Sequence, residues 1–184
     1  MKYIALDCES GGIGHEKSLL TIYLKVLDIS FHTIDELDLK IKPNDKVYHC
    51  TAEAMGVNGI NIVEHDKIAI SETEAARELY QFIKWHSNDG ADKLIPVGHN
   101  VAFDIGMIKA KLLASGSWDK HVSYRMLDTG IITQFFKAKG RIPETVSGSL
   151  ASLGEYFHLE GKNTHVAKDD VNLTIEVMKE LLKL

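Results

Sequence analysis

Lys2-Tyr3-Ile4-Ala5-Leu6-Asp7-Cys8-Glu9 is the stretch whose reading decides the fold. Tyr3 to Leu6 is apolar at both parities, which reads as a strand covered on both faces. Side chains alternate along a strand, so Asp7 and Glu9 point one way and Cys8 the other. Two carboxylates side by side at the end of such a strand repel each other and lose solvation. A cation should offset that, and for oxygen-only ligands Mg2+ or Mn2+ is the usual one. The pair alone would equally begin a solvated loop, so the rest of the chain has to decide.

Working outward, Ser10-Gly11-Gly12-Ile13-Gly14 suits a tight turn and close approach of backbone to a ligand. Gly11 to Ser18 has the length of a phosphate-binding loop, but Glu16 stands where that loop needs glycine. Such a loop must also open a helix, and Leu20 to Val26 instead has apolar residues at even positions, which is strand periodicity. Glu36 to Lys42 alternates at odd positions and reads as the hairpin partner of that strand, after a turn near Asp28–Thr33. Thr51 to Met55 reads as a short helical start broken by Gly56 and Gly59, with Val57 to Ile60 as a loop carrying apolar side chains. Ser71-Glu72-Thr73-Glu74 is a capping box, followed by Ala75, Ala76, Leu79, Phe82, Ile83 and His86 at helical spacing. Leu94 to Val97 reads as a short buried strand. Asn100 should cap a helix from Val101 to Ser115 with Gly116 at its C-terminal end. Met126-Leu127 is the core of a fifth strand. Asp128 and Ser149 cap further helices through about Ala138 and Phe157, and a last helix runs from about Ala167 to Leu182. Strands alternating with helices indicate a mixed α/β sheet.

The chain of 184 residues is expected to form one domain over 1–184. No apolar run approaches the roughly 18 residues of a membrane span, and Asp7 and Glu9 cut the N-terminal run too short for a signal peptide. Cys8 and Cys50 lack metal-like spacing, so a reduced, cytoplasmic setting is the default. A net charge of −5 argues against coating nucleic acid by bulk attraction, though not against a local grip on a strand end.

Two further acids join Asp7 and Glu9. Asp104 falls in the first turn of a helix just past a strand's carboxyl end, where open α/β sheets bind ligands. Asp169 and Asp170 begin the last helix. Counting by helical spacing from Asp170 meets Leu173, Thr174, Val177, Met178 and Leu181, whereas the count from Asp169 meets Asn172, Glu176 and Glu180. Asp170 therefore lies on the buried stripe and Asp169 faces solvent. Four carboxylates balance two divalent ions, as a two-metal phosphoryl-transfer site requires. His165, five residues before Asp170, is placed to return to that site and take a proton from an attacking water.

Asp7-Cys8-Glu9, Gly98-His99-Asn100-Val101-Ala102-Phe103-Asp104 and His165-Val166-Ala167-Lys168-Asp169-Asp170 together resemble the three motifs of the DEDDh exonucleases. That group contains the proofreading subunit of bacterial replicative polymerases, and ribonuclease T. The resemblance covers nearly the whole chain. It implies a ribonuclease-H-like α/β fold, with a five-stranded mixed sheet flanked by helices. It also implies release of nucleoside monophosphates from 3′ ends of single-stranded DNA or RNA, using two Mg2+ or Mn2+. By the same resemblance Asp7, Glu9 and Asp170 would bind one ion, Asp7 would bridge to the second, and Asp104 would hold the second through water. His165 would be the general base. Many members follow the first motif with two threonines or Ser-Thr before glycine, whereas Ser10-Gly11-Gly12 stands here. The contact to the terminal ribose would then fall to Ser10, helped by the amides of Gly11 and Gly12. Met55, Val57 or Ile60, with Phe103, would separate or support the last bases, because stacking contacts tolerate any sequence, or would equally seal the core. A DNA polymerase or replication protein is a candidate partner. The chain nevertheless ends with its last helix, without a polymerase-binding tail, which favours a stand-alone enzyme or a trimmed domain.

Three rivals remain at this level: an exoribonuclease restricted to RNA, a non-catalytic nucleic-acid-binding or polymerase-accessory domain, and a nucleotide kinase. The complete set of acids with His165 weighs against the second, and Glu16 against the third. Among other residues, His99 is expected to brace its turn, Cys8 to fill the core, and Lys137, Lys139 and Arg141 to form a solvated face. Lys162 and Lys168 flank His165 within reach of substrate phosphate.

Overall fold

The computed structural model describes residues 1–160 and 164–184, which form six strands and eight helices. The strands are β1 (Tyr3–Ser10), β2 (Leu19–Leu27), β3 (Thr33–Lys42), β4 (Ile70–Ser71), β5 (Ile95–Gly98) and β6 (Leu127–Asp128). The helices are α1 (Ala52–Asn58), α2 (Ile62–Ile68), α3 (Glu72–His86), α4 (Val101–Lys111), α5 (Ser115–His121), α6 (Thr129–Ala138), α7 (Leu150–Tyr156) and α8 (Ala167–Leu181). The strands form one mixed sheet in the order β4-β3-β2-β1-β5-β6. β2 is antiparallel to β1 and β3, while β5 is parallel to β1 and β6 to β5.

β1 is apolar at both parities because it has helices on both sides. Ile4, Leu6 and Cys8 pack with α3 and α4 through Leu79, Ile83, Val101 and Ile105. Tyr3 and Ala5 pack with α8 through Ala167, Val171 and Ile175. Asp7 and Glu9 continue the odd register towards the α8 side. A third cluster, built on Ile142, Leu150, Leu153, Leu173 and Val177, seats α7 against α8. None of the described helices is long and apolar enough to cross a membrane.

The sheet has six strands where five were expected. The sixth is β4, two residues that pair parallel with the end of β3 before the capping box turns them into α3. Two other expectations change. The helix after β5 ends at Lys111, and Gly116 lies inside the separate α5. α1 runs through Gly56 and takes in Val57 and Asn58, ending at Gly59 in the left-handed region (φ 65°). Thr51 caps α1, its side chain accepting from the Ala54 amide.

Candidate active site

Asp7 and Glu9 leave the end of β1 on the face towards α8, and Asp170 leaves the first turn of α8 towards β1. Ligand oxygens of the three lie within 4.8 Å of one another. Asp170 is buried and Asp169 exposed, as the helical register requires. The amide of Thr164 donates to Asp170 Oδ1 (3.1 Å), and the Thr164 hydroxyl donates to Asp169 Oδ2 (2.8 Å), which fixes the turn entering α8.

Asp104 reaches this strand end from the opposite face. It is buried on α4, and its Oδ1 accepts from the Cys8 amide at 3.0 Å. Cys8 itself is a buried core thiol, pushed up by burial and by the charge of Asp104. Asn100, before α4, has a left-handed backbone (φ 60°) and makes no side-chain cap. Its expected role is taken by Asp128. Asp128 Oδ2 accepts from the Val101 amide (2.9 Å), while its Oδ1 accepts from Gly130 and Ile131 at the start of α6 (2.9 and 3.1 Å). His99 braces the same turn, its Nδ1 lying 2.8 Å from the Thr129 hydroxyl.

The acids push one another's pKa values upward. Asp7 is raised well above the ordinary carboxylate range by burial and then by Asp104, Glu9 and Asp170. Burial, Asp170 and Asp104 raise Glu9 to about 8. Burial lifts Asp104 to about 7 against the lowering effect of the Cys8 amide. Burial also raises Asp170, with the nearby His165 acting in the lowering direction. No Lys or Arg among the described residues forms a salt bridge with any of the four. An all-oxygen set that lacks a cationic side chain fits a hard divalent cation. Asp7, Glu9 and Asp170 would hold it, with Asp104 adjoining.

Glu9 and Asn58 form the wall between two cavities. One, of about 450 Å3, is lined by Ser10, Gly12, Ile13, Thr51, Glu53, Val57 and Phe103. The other, of about 190 Å3, is lined by Ile60, Thr21, Tyr23, Lys40, His165 and Lys168. Of the residues expected to meet substrate, Ser10, Gly12, Val57 and Phe103 therefore face the first and Ile60 the second. Met55 and Gly11 line neither. Gly11 is glycine for a packing reason: a Cβ there would collide with the His49 carbonyl and Cys50. Its amide donates to the Ser18 carbonyl (2.8 Å) and is not free for a ligand. Lys168 lies 3.7 Å from Glu36 Oε1, and Lys162 lies outside the described residues. Lys139 and Arg141 are exposed, as on a solvated face, with Lys139 over the Phe135 ring, whereas Lys137 is half-buried and donates to the Val146 carbonyl.

Sequence reading missed Ile13 and Asn58. Ile13 had a signal: it is an apolar residue between two glycines, and it is 89% exposed at the rim of the larger cavity. Asn58 had none, because its role is long-range. Its Nδ2 donates to the Ser10 carbonyl (3.1 Å) and its Oδ1 accepts from the Ile60 amide (3.0 Å), tying α1 to the end of β1.

The fold carries an acidic cluster suited to a divalent cation, and its family is an exonuclease family. The family model described as RNase T, exonuclease, matches residues 4–178, and the chain belongs to this exonuclease family, whose DEDDh-type members work from 3′ ends. RNA exonuclease 4 of Candida glabrata is 32% identical over 144 residues, 77% of this chain and 46% of that protein. E. coli exonuclease I in complex with a dT13 oligonucleotide superposes with a TM-score of 0.79 at 21% identity, over 99% of this chain and 41% of that one. A zinc-bound exonuclease I complex with single-stranded DNA gives 0.80 at 22% identity, over 99% of this chain and 40% of that one. The chain thus spans less than half the length of these relatives.

Proposed function

We propose that residues 1–184 act as one domain that hydrolyses single-stranded nucleic acid from the 3′ end, releasing nucleoside monophosphates. The observation that carries this reading is the convergence of Asp7, Glu9 and Asp170 within 4.8 Å, beside a cavity of about 450 Å3 lined by polar and apolar groups. Two Mg2+ or Mn2+ ions, held by Asp7, Glu9, Asp170 and Asp104, would supply Lewis-acid stabilisation of the attacking and leaving oxygens. The protein's own residues do the rest. Val57 and Phe103 offer apolar surface to the terminal base, and Ser10, whose hydroxyl donates to the Gly12 carbonyl (2.9 Å) and accepts from the Gly12 amide (3.4 Å), lines the same cavity beside its sugar. His165, on the opposite side of Glu9, accepts the proton of the attacking water.

The relative named RNA exonuclease 4 supports RNA as substrate, and the dT13 complex of exonuclease I supports single-stranded DNA. The relatives named here give no support for a polymerase partner. The test uses 5′-labelled DNA and RNA strands of one sequence, incubated with Mg2+, Mn2+ or chelator, with products resolved by length. A ladder shortening from the 3′ end in either metal, abolished by chelator, is expected. Absence of shortening on both strands would exclude the reading. The same experiment ranks RNA against DNA.

A further inference from the structure

His165 sits on a segment that needs outside support. Its backbone is left-handed (φ 53°), an uncommon conformation for a residue with a Cβ, and its side chain is exposed. Its ring makes no hydrogen bond among the described residues. The bonds from Thr164 to Asp169 and Asp170 fix the turn internally but do not tie it to the sheet.

α8 is held to the sheet by its buried face, where Ala167, two residues after His165, packs with Tyr3 and Tyr23, and a second tie comes from its solvent side. Lys168, three residues after His165, extends across β2 and β3. Its Nζ lies 3.7 Å from Glu36 Oε1 and 5.2 Å above the Tyr23 ring. Tyr23 is 1% exposed, and its hydroxyl donates to Glu36 Oε2 at 2.6 Å. Tyr23 is also the cross-strand partner of Asp7. One turn further along α8, Lys25 Nζ donates to Asn172 Oδ1 at 2.7 Å and lies 3.9 Å from Glu36 Oε2. The exposed side of α8 is thus fastened at residues 168 and 172, while its buried side presents Asp170.

We propose that Tyr23, Glu36 and Lys168 are positioning residues for His165, fixing its segment against the strand that carries Asp7. This inference rests on the exonuclease reading above. An isolated exposed ion pair contributes little to stability. Here the half-exposed Lys168 lies against a buried aromatic ring as well as a carboxylate, and the carboxylate itself accepts from the tyrosine hydroxyl. The arrangement restricts where Lys168 can go more than it strengthens the fold. Removing it should therefore affect catalysis more than stability.

The test is a double-mutant cycle. Single-turnover rate, KM and melting temperature are measured for Tyr23→Phe, Glu36→Gln, Lys168→Met and Lys168→Arg, each with His165 intact and with His165→Ala. With His165 intact, Tyr23→Phe, Glu36→Gln and Lys168→Met should each lower the rate by about tenfold at unchanged KM, because misplacing a reacting group is costly. Lys168→Arg should recover most of the loss. With His165→Ala, none of the variants should cost anything more. Equal losses in both backgrounds would show a merely structural role and overturn the proposal. So would unchanged rates, or a salt-dependent rise in KM for Lys168→Met, which would mean direct contact with substrate phosphate. Failure of the unmodified protein to hydrolyse any strand would instead overturn the functional reading, so the two failures are distinguishable.

Discussion

Asp169 and Asp170 are adjacent and chemically identical, yet they face different media. Asp170 is 5% exposed and converges with Asp7 and Glu9, while Asp169 is exposed and, among the described residues, accepts a side-chain hydrogen bond from the Thr164 hydroxyl. An amide can still accept that bond, so Asp169→Asn should hydrolyse at nearly the normal rate. Asp170→Asn should lose at least the roughly 100-fold that follows loss of a metal's outer-shell partner. Steady-state rates of the two variants check this, and the reverse ranking would refute the register. His165 differs from the acids because it lies outside the cluster of Asp7, Glu9 and Asp170. His165→Ala should cost on the order of 10²–10⁴ in rate, the usual worth of a positioned base. Its Mn2+ affinity should stay normal by titration calorimetry, separating proton transfer from ion binding.

The elements divide into those specified locally and those specified at a distance, and that division set what the sequence could show. The capping box at Ser71, the β2–β3 hairpin and the buried stripe of α8 depend on neighbours a few residues apart, so they were legible. So were the acids, because strand alternation and helical spacing fix their faces. The N-terminus of α4 was not legible, because its cap is Asp128, which also caps α6. The same holds for β4, two residues that are a strand only because β3 lies alongside. Gly11 misled because its close neighbour is the chain near His49 rather than a ligand. These two kinds of cap should differ in stability. Ser71→Ala should cost about 1 kcal/mol, the ordinary worth of an N-cap. Asp128→Ala removes three acceptor contacts at a buried position, and should cost more than about 2 kcal/mol. Chemical denaturation of both variants provides the comparison.

Across the whole molecule, the acid cluster makes stability depend on pH and on the cation. Glu9 near 8 and Asp104 near 7 lie above the ordinary carboxylate range near 4. A carboxyl with a higher pKa folded than unfolded favours the folded state while protonated. That contribution is complete below about pH 4 and is lost as pH rises through 7 and 8. Chelated protein should therefore melt at progressively lower temperature between about pH 5 and 8 on account of this site. Mg2+ or Mn2+ should reverse the loss, with its largest effect at the alkaline end. Asp7→Asn should flatten both trends, and scanning calorimetry with and without chelator reads them directly. The sheet order has a separate consequence. β1 runs past β5 at its Asp7–Glu9 end, but its apolar run lies between β2 and β5, with helices over both faces, so no sheet edge gives access to that run. Exposing its backbone to solvent requires the molecule to open as a whole. In native-state hydrogen exchange, the amides of Ile4 and Leu6 should be among the last to take up deuterium, with opening free energies equal to that of global unfolding. The ligand-bearing strand would then belong to the most slowly exchanging unit of the chain, and a chain lacking the cation would keep its carboxylates in register for as long as it stays folded.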